Sequence, residues 1–92
     1  MRNRKRRCCR ELELEKIYKP IGIPTNEIII NEIKLDEFEA MRLCDLEQKS
    51  QIEAGEIMEV SRGTIQRLLI SGRKKIMQSF LESQGIKIMN KH

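Results

Sequence analysis

The sequence predicts one mostly α-helical domain of three to four helices that contains a helix-turn-helix, with short extended or β segments near residues 28–33 and 86–89. Three observations support this fold class. The chain has 92 residues, the length of a single small domain. Apolar residues recur at helical spacing from Leu35 onwards. Two serines, Ser50 and Ser61, stand where helix N-caps are expected and divide this region into separate helices.

The chain divides by composition into a basic arm, an extended lead-in and the helix-turn-helix domain, expected over residues 1–10, 11–34 and 35–92. In the lead-in, Pro20 and Pro24 on either side of Gly22 favour a loop over a helix. The β-branched run that closes the lead-in is typical of a strand or a buried extended segment.

The first helix is expected to begin at Leu35 and to end near residues 47–49. Asp36 and Glu37 supply the negative charge that is favoured in a first turn. Its apolar stripe follows helical spacing and consists of Leu35, Phe38, Met41 and Cys44, widened by Ala40, Leu43 and Leu46.

A capping box opens the second helix, because Ser50 and Glu53 have the spacing at which each side chain bonds the other residue's backbone amide. This helix is expected over residues 51–58, with a tight turn at residues 59–60. Ser61 then caps a third helix.

The third helix is expected to carry one apolar stripe, formed by Ile65, Leu68, Leu69, Ile76 and Phe80. Gly72 lies on that stripe and costs about 1 kcal/mol relative to alanine, so the sequence allows a kink there. Gly85 is placed to end the helix, and the alternating residues 86–89 are typical of a short strand.

Charge is distributed in three blocks. Residues 1–10 hold six cations and no acid, residues 11–59 hold five cations and thirteen acids, and residues 60–92 hold seven cations and one acid. Clustered Lys and Arg neutralise phosphates, so two basic ends around an acidic middle indicate a nucleic-acid partner.

Several classes of protein are disfavoured. No apolar run approaches the ~20 residues of a membrane span, and the basic N-terminus is unlike a signal peptide. The one histidine is His92, and no nucleophile–base pair or phosphate-cradling loop is present, so we expect no enzyme and no small-molecule substrate. Three cysteines (Cys8, Cys9 and Cys44) do not suggest a disulfide framework and lack zinc-ligand spacing. We therefore expect a cytoplasmic protein with no metal and no cofactor.

The start of the third helix carries the residue types that suit a DNA surface. With Ile65, Leu68 and Leu69 packed inward, the side that would meet base edges holds Arg62, Gly63, Gln66 and Arg67. Contacts to phosphates are expected from Ser61, Thr64, Arg73, Lys74 and Lys75, together with the arm residues Arg2, Arg4, Lys5, Arg6, Arg7 and Arg10.

Residues 61–68 with residues 72–76 resemble the region 4 helix-turn-helix of sigma-70 factors. The whole chain is still more similar to an uncharacterised family of small predicted DNA-binding proteins of bacteria and archaea that carry this unit. The matching features are the Arg-rich start and residues 18–24, 35–47, 58–62 and 85–88. The resemblance implies DNA binding.

Three residues depart from the family's pattern. Gly55 and Gly72 stand where alanine is preferred, which is expected to loosen two helices. Glu59 stands where the turn usually has glycine, and a side chain strains the left-handed conformation expected there.

The expected function is sequence-specific binding of double-stranded DNA by a transcriptional regulator. One helix-turn-helix contacts few base pairs, so a homodimer is the usual way to gain specificity. The segments 28–33 and 86–89 are expected to pair with each other or across such a dimer. Two alternatives stay open, a protein-interaction module that docks on the transcription machinery through the acidic middle, and a redox or metal sensor based on Cys8 and Cys9.

Overall fold

The computed structural model describes residues 16–89. The basic arm, the vicinal cysteines and His92 lie outside the described residues, so the expectations placed on them stay predictions.

Within this range the protein is mostly helical, as expected. Helix α1 spans Leu35–Met41 and continues directly into a π-helical segment, Arg42–Leu46. Helix α2 spans Gln51–Met58 and helix α3 spans Arg62–Leu81. The helices therefore begin close to the predicted positions, and α3 runs through Gly72 as one continuous helix. The expectation that Gly85 ends α3 is wrong, because α3 ends at Leu81, Ser83 adopts the left-handed backbone after it (φ of 56°), and Gly85 already begins a strand.

A small three-stranded sheet joins the lead-in to the end of the helical region. Its strands are β1 (Ile17–Tyr18), β2 (Ile30–Ile33) and β3 (Gly85–Ile88), in the order β1-β3-β2. Strand β3 pairs antiparallel with β1 and parallel with β2. The two predicted extended segments thus pair with each other within one chain, whereas β1 was not expected from the sequence.

The hydrophobic core lies where the three helices and β2 meet. Its buried members include Ile33, Ala40, Met41, Leu43, Ala54, Met58, Ile65 and Leu69. The stripe predicted on α3 is buried at its start, half-buried at Ile76 and 73% exposed at Phe80. The expectation that it continues into the core at Phe80 is therefore wrong, because this last part of α3 is flanked by an open groove instead of a packed helix.

Gly55 and Gly72 mark close approaches between elements. A Cβ atom at Gly72 would lie 2.7 Å from Cε of Met41 on α1, and one at Gly55 would lie 2.7 Å from the carbonyl oxygen of Val60. Both glycines are buried. Their missing side chains give room to α1 and to the turn before α3, a role that the sequence alone did not show.

Candidate nucleic-acid interface

Helix α2 is held at its start by the predicted capping box. The Glu53 amide donates to Oγ of Ser50 over 3.0 Å, and the Ser50 amide donates to Oε1 of Glu53 over 2.9 Å. Two otherwise unpaired backbone donors are thereby satisfied at the entrance to α2.

A three-residue turn connects α2 to α3. Glu59 has a left-handed backbone with φ of 64°, as predicted, and the Val60 amide donates to the Gly55 carbonyl over 2.9 Å. Ser61 then caps α3, since its Oγ accepts from the Thr64 amide over 3.1 Å. The turn and the cap fix the direction in which α3 leaves α2.

The first three turns of α3 have one buried and one exposed side. Ile65 and Leu69 are buried against the core. The opposite side exposes Arg62, Gln66 and Arg67, with Gly63 half-buried among them. The structure thus brings together the four residues predicted to contact bases, on a surface that no described part of the chain covers.

Both arginines of this surface are oriented by neighbouring polar side chains. Nη1 of Arg62 donates to Oε1 of Gln51 over 3.0 Å, which connects the starts of α2 and α3. Nη2 of Arg67 donates to Oγ1 of Thr64 over 3.2 Å. Each arginine keeps further donors for another partner, because a guanidinium carries five N–H groups.

Arg73 and Lys74 differ although both are exposed. Arg73 donates twice to Asp45 on the π-helical segment, with Nη2–Oδ1 of 2.6 Å and Nε–Oδ2 of 3.2 Å, and this contact raises the pKa of Arg73. Lys74 points to solvent without a described ion pair. Of these two cations, Arg73 already shares its charge with a carboxylate, whereas Lys74 does not within the described residues.

Lys75 does not lie on the exposed side, so the expectation that it reaches phosphates is wrong. Its Nζ is 2.8 Å from Oε1 of Glu37 and 2.9 Å from the carbonyl oxygen of Glu32. Position 75 lies on the side of α3 that faces α1 and β2, where Glu37 is buried and needs a counter-charge.

Glu37 is the buried acceptor at the junction of α1, α3 and β2. Burial alone would raise the pKa of this carboxyl, but hydrogen bonds from Lys75, from Ser71 and from the Lys34 amide, with the charge of Lys75, lower it below its usual value. The sequence showed Glu37 only as a first-turn acid, because its partners on α3 are more than thirty residues away.

The described residues provide no site for the alternative function of a redox or metal sensor. Burial raises the pKa of the Cys44 thiol, and the charge of Asp45 raises it further. The reactive thiolate form of this cysteine is therefore disfavoured. Within residues 16–89 no group of three or more His, Cys, Asp or Glu side chains converges as a ligand set. The sensor alternative rests on Cys8 and Cys9 and stays untested.

An open apolar groove lies on the sheet side of α1 and α3. Its volume is about 690 Å³, and its lining includes Tyr18, Phe38, Leu46, Phe80 and Ile88. Sequence reasoning missed it, since it needs β1 and β3 to be placed beside the end of α3.

Among the described helices, none has the length and apolar composition needed to cross a membrane.

Comparison with known proteins gives relatives along most of the chain. This chain is 39% identical over 84 residues to a UPF0251 protein of Dehalococcoides mccartyi, and the match covers 89% of this chain and 72% of that protein. It is 39% identical over 72 residues to a UPF0251 protein of Shewanella baltica, covering 78% and 74%. A UPF0251 protein of Halothermothrix orenii is 40% identical over 72 residues, covering 78% of this chain and 53% of that protein. The family model described as "Protein of unknown function DUF134" matches residues 1–91. No solved structure matches the chain significantly.

Proposed function

Because this chain belongs to the DUF134 family of proteins of unknown function, we propose a function from its own surface: it binds double-stranded DNA in a sequence-specific manner and regulates transcription. Helices α2 and α3 act as a DNA-binding helix-turn-helix, with α3 entering the major groove. The observation that carries this proposal is the exposed side of α3, where Arg62, Gln66 and Arg67 project together from a helix start whose other side is buried.

The chemistry of these side chains suits base edges. An arginine donates two parallel hydrogen bonds to O6 and N7 of guanine, and a glutamine pairs with N6 and N7 of adenine. Gly63 has no side chain, and a Cβ there would meet no atom closer than 3.8 Å, so the helix backbone can approach the DNA closely at this point. Arg62, Gly63, Gln66 and Arg67 are therefore assigned to base recognition.

Phosphate contacts surround that surface. The amides of Arg62 and Gly63 lie in the first turn of α3, where no carbonyl of the same helix can pair with them, and such amides bind phosphate well. The hydroxyls of Ser61 and Thr64 lie beside them, 3.0 Å apart. Lys74 and Arg73 follow about three turns later, and the arm at residues 1–10 adds sequence-independent charge.

Selection of bound fragments from random duplex DNA tests this proposal. We expect one enriched motif, and a palindromic motif would indicate that a homodimer binds. On the selected site, Arg67→Ala should weaken binding by about 1–3 kcal/mol and relax the preference at one or two base pairs.

The matched control is Lys19→Ala, which removes the same charge from a lysine before β2 whose Nζ donates to the Ile23 carbonyl over 2.6 Å. This variant should retain sequence preference. If the Arg67 and Lys19 variants bind alike, the assignment of Arg67 to base recognition is wrong. If no motif is enriched, the proposal of sequence-specific DNA binding is wrong. A protein-interaction module on the transcription machinery would then be the better hypothesis.

A further inference from the structure

Ile70 lies at the centre of the side of α3 that we assign to DNA. At about 100° per residue, Gln66 lies about 40° and Arg67 about 140° around the helix from Arg62, and Ile70 lies between them at about 80°. Ile70 is 59% exposed. Isolated exposed apolar residues are common, so exposure alone assigns no role to Ile70. The role of Ile70 is inferred instead from its position among the side chains that we assign to base contacts.

The major groove presents one apolar group to a side chain of this kind. Thymine carries a C5-methyl group on its major-groove edge, whereas the other groups on base edges there are hydrogen-bond donors and acceptors. Isoleucine has no donor or acceptor and a branched, stiff side chain, so it discriminates by apolar contact alone.

We propose that Ile70 packs against the C5-methyl group of a thymine and specifies a T·A pair beside the bases contacted by Gln66 and Arg67. This inference rests on the proposed function, since it requires α3 to enter the major groove. It adds to that function recognition of a methyl group, which no hydrogen-bonding residue of this surface supplies.

The test uses the full chain and its selected DNA site, with each thymine replaced in turn by deoxyuridine, which lacks only the methyl group. At one position the replacement should weaken binding of the unaltered protein about three- to fivefold, the effect of losing one buried methyl contact. The Ile70→Ala variant should bind thymine and uracil equally at that position and keep the other preferences.

Cytosine and 5-methylcytosine at the same position separate the methyl contact from other effects. Methylation should recover part of the binding that cytosine loses, for the unaltered protein and not for Ile70→Ala. Met77→Ala is the matched control, because Met77 is 64% exposed on the same side two turns further along α3. Its thymine preference should be unchanged. Alanine favours helix, so circular dichroism should show Ile70→Ala folded.

The outcomes distinguish the two proposals. If the protein selects a motif and the two variants respond alike to every uracil, the Ile70 inference is overturned while DNA binding stands. A motif without a thymine beside the positions relaxed by Arg67→Ala also overturns it. If no motif is selected, the proposed function fails first, and the Ile70 inference fails with it.

Discussion

Nζ of Lys75 on α3 lies 2.8 Å from Oε1 of Glu37 on α1, and Glu37 is only 3% exposed. The contact joins two helices through a charged pair on the side of α3 that faces away from the candidate DNA surface. Of the three consecutive cations at residues 73–75, Lys75 is therefore paired inside the fold, whereas its neighbour Lys74 is exposed.

Replacement of Lys75 by methionine is expected to destabilise the fold by about 3 kcal/mol, because it leaves the Glu37 carboxylate buried without its counter-charge. Urea unfolding followed by circular dichroism measures this loss. The double variant Glu37→Gln/Lys75→Met should be more stable than Lys75→Met alone, since the unpaired charge is gone. Equal stability of Lys75→Met and the unaltered protein would show that the pair does not support the fold.

Stability should depend on pH through Glu37. Its pKa in the folded protein lies below the ordinary value of 4.5, so the ionised carboxylate stabilises the fold fully above pH 4.5. That contribution is lost as the pH falls from 4.5 through the lower pKa of the folded state. The free energy of unfolding of Glu37→Gln, measured between pH 3 and 7 (about the range of carboxyl titration), should decline less on acidification than that of the unaltered protein.

Lys74→Ala should weaken binding to selected and random duplexes alike. Loss of one phosphate contact lowers the slope of log K against log salt by about one unit. Lys75→Met removes the same charge from the next residue and should leave that slope unchanged wherever the protein is folded. A change of slope in both variants, or in neither, would contradict the assignment of Lys74 to the DNA backbone.

Asp45→Asn is expected to strengthen DNA binding without regard to sequence. Asp45 holds the Arg73 guanidinium through two hydrogen bonds, and its removal releases that cation and deletes a negative charge near it. The salt slope should become steeper by about 0.9. Glu47→Gln is the matched control, because it deletes an equal charge that pairs with Arg42 instead. Titration of a random duplex at two salt concentrations compares them.

Glu59→Gly should stabilise the protein by about 1 kcal/mol, because glycine adopts the left-handed backbone of the turn without steric cost. Glu56→Gly is the control within α2, where the backbone is right-handed and glycine should cost about 1 kcal/mol. Thermal unfolding of the two variants should therefore shift in opposite directions. A lower melting temperature for Glu59→Gly would mean that the glutamate side chain contributes more than its backbone strain costs.

The local features of the fold could be predicted from sequence, because their causes are local. Ser50 bonds Glu53 three residues on, Ser61 bonds Thr64 at the same spacing, and Glu59 adopts the left-handed turn between them. The match over residues 1–91 confirms membership of an uncharacterised family, while the likeness to sigma-70 region 4 stays a prediction and DNA binding a proposal.

Features that depend on distant contacts could not be predicted. A run of three cations at residues 73–75 looks uniform until the position of α1 shows that Lys75 meets a buried carboxylate. Strand β1 has only two residues, and its partner β3 lies at the other end of the described chain. Phe80 follows the apolar spacing of α3 but is exposed, and spacing does not show how far along α3 the other helices pack against it.

Strand β3 is the central strand of the described sheet, and both other described strands pair with it. During synthesis from the N-terminus, β1 and β2 therefore leave the ribosome before the strand with which they pair. The helices between β2 and β3 make contacts with one another that need no strand, so they can assemble before the sheet closes around their base. Closure of the sheet therefore needs β3, and it places the entry and exit of the helical region side by side.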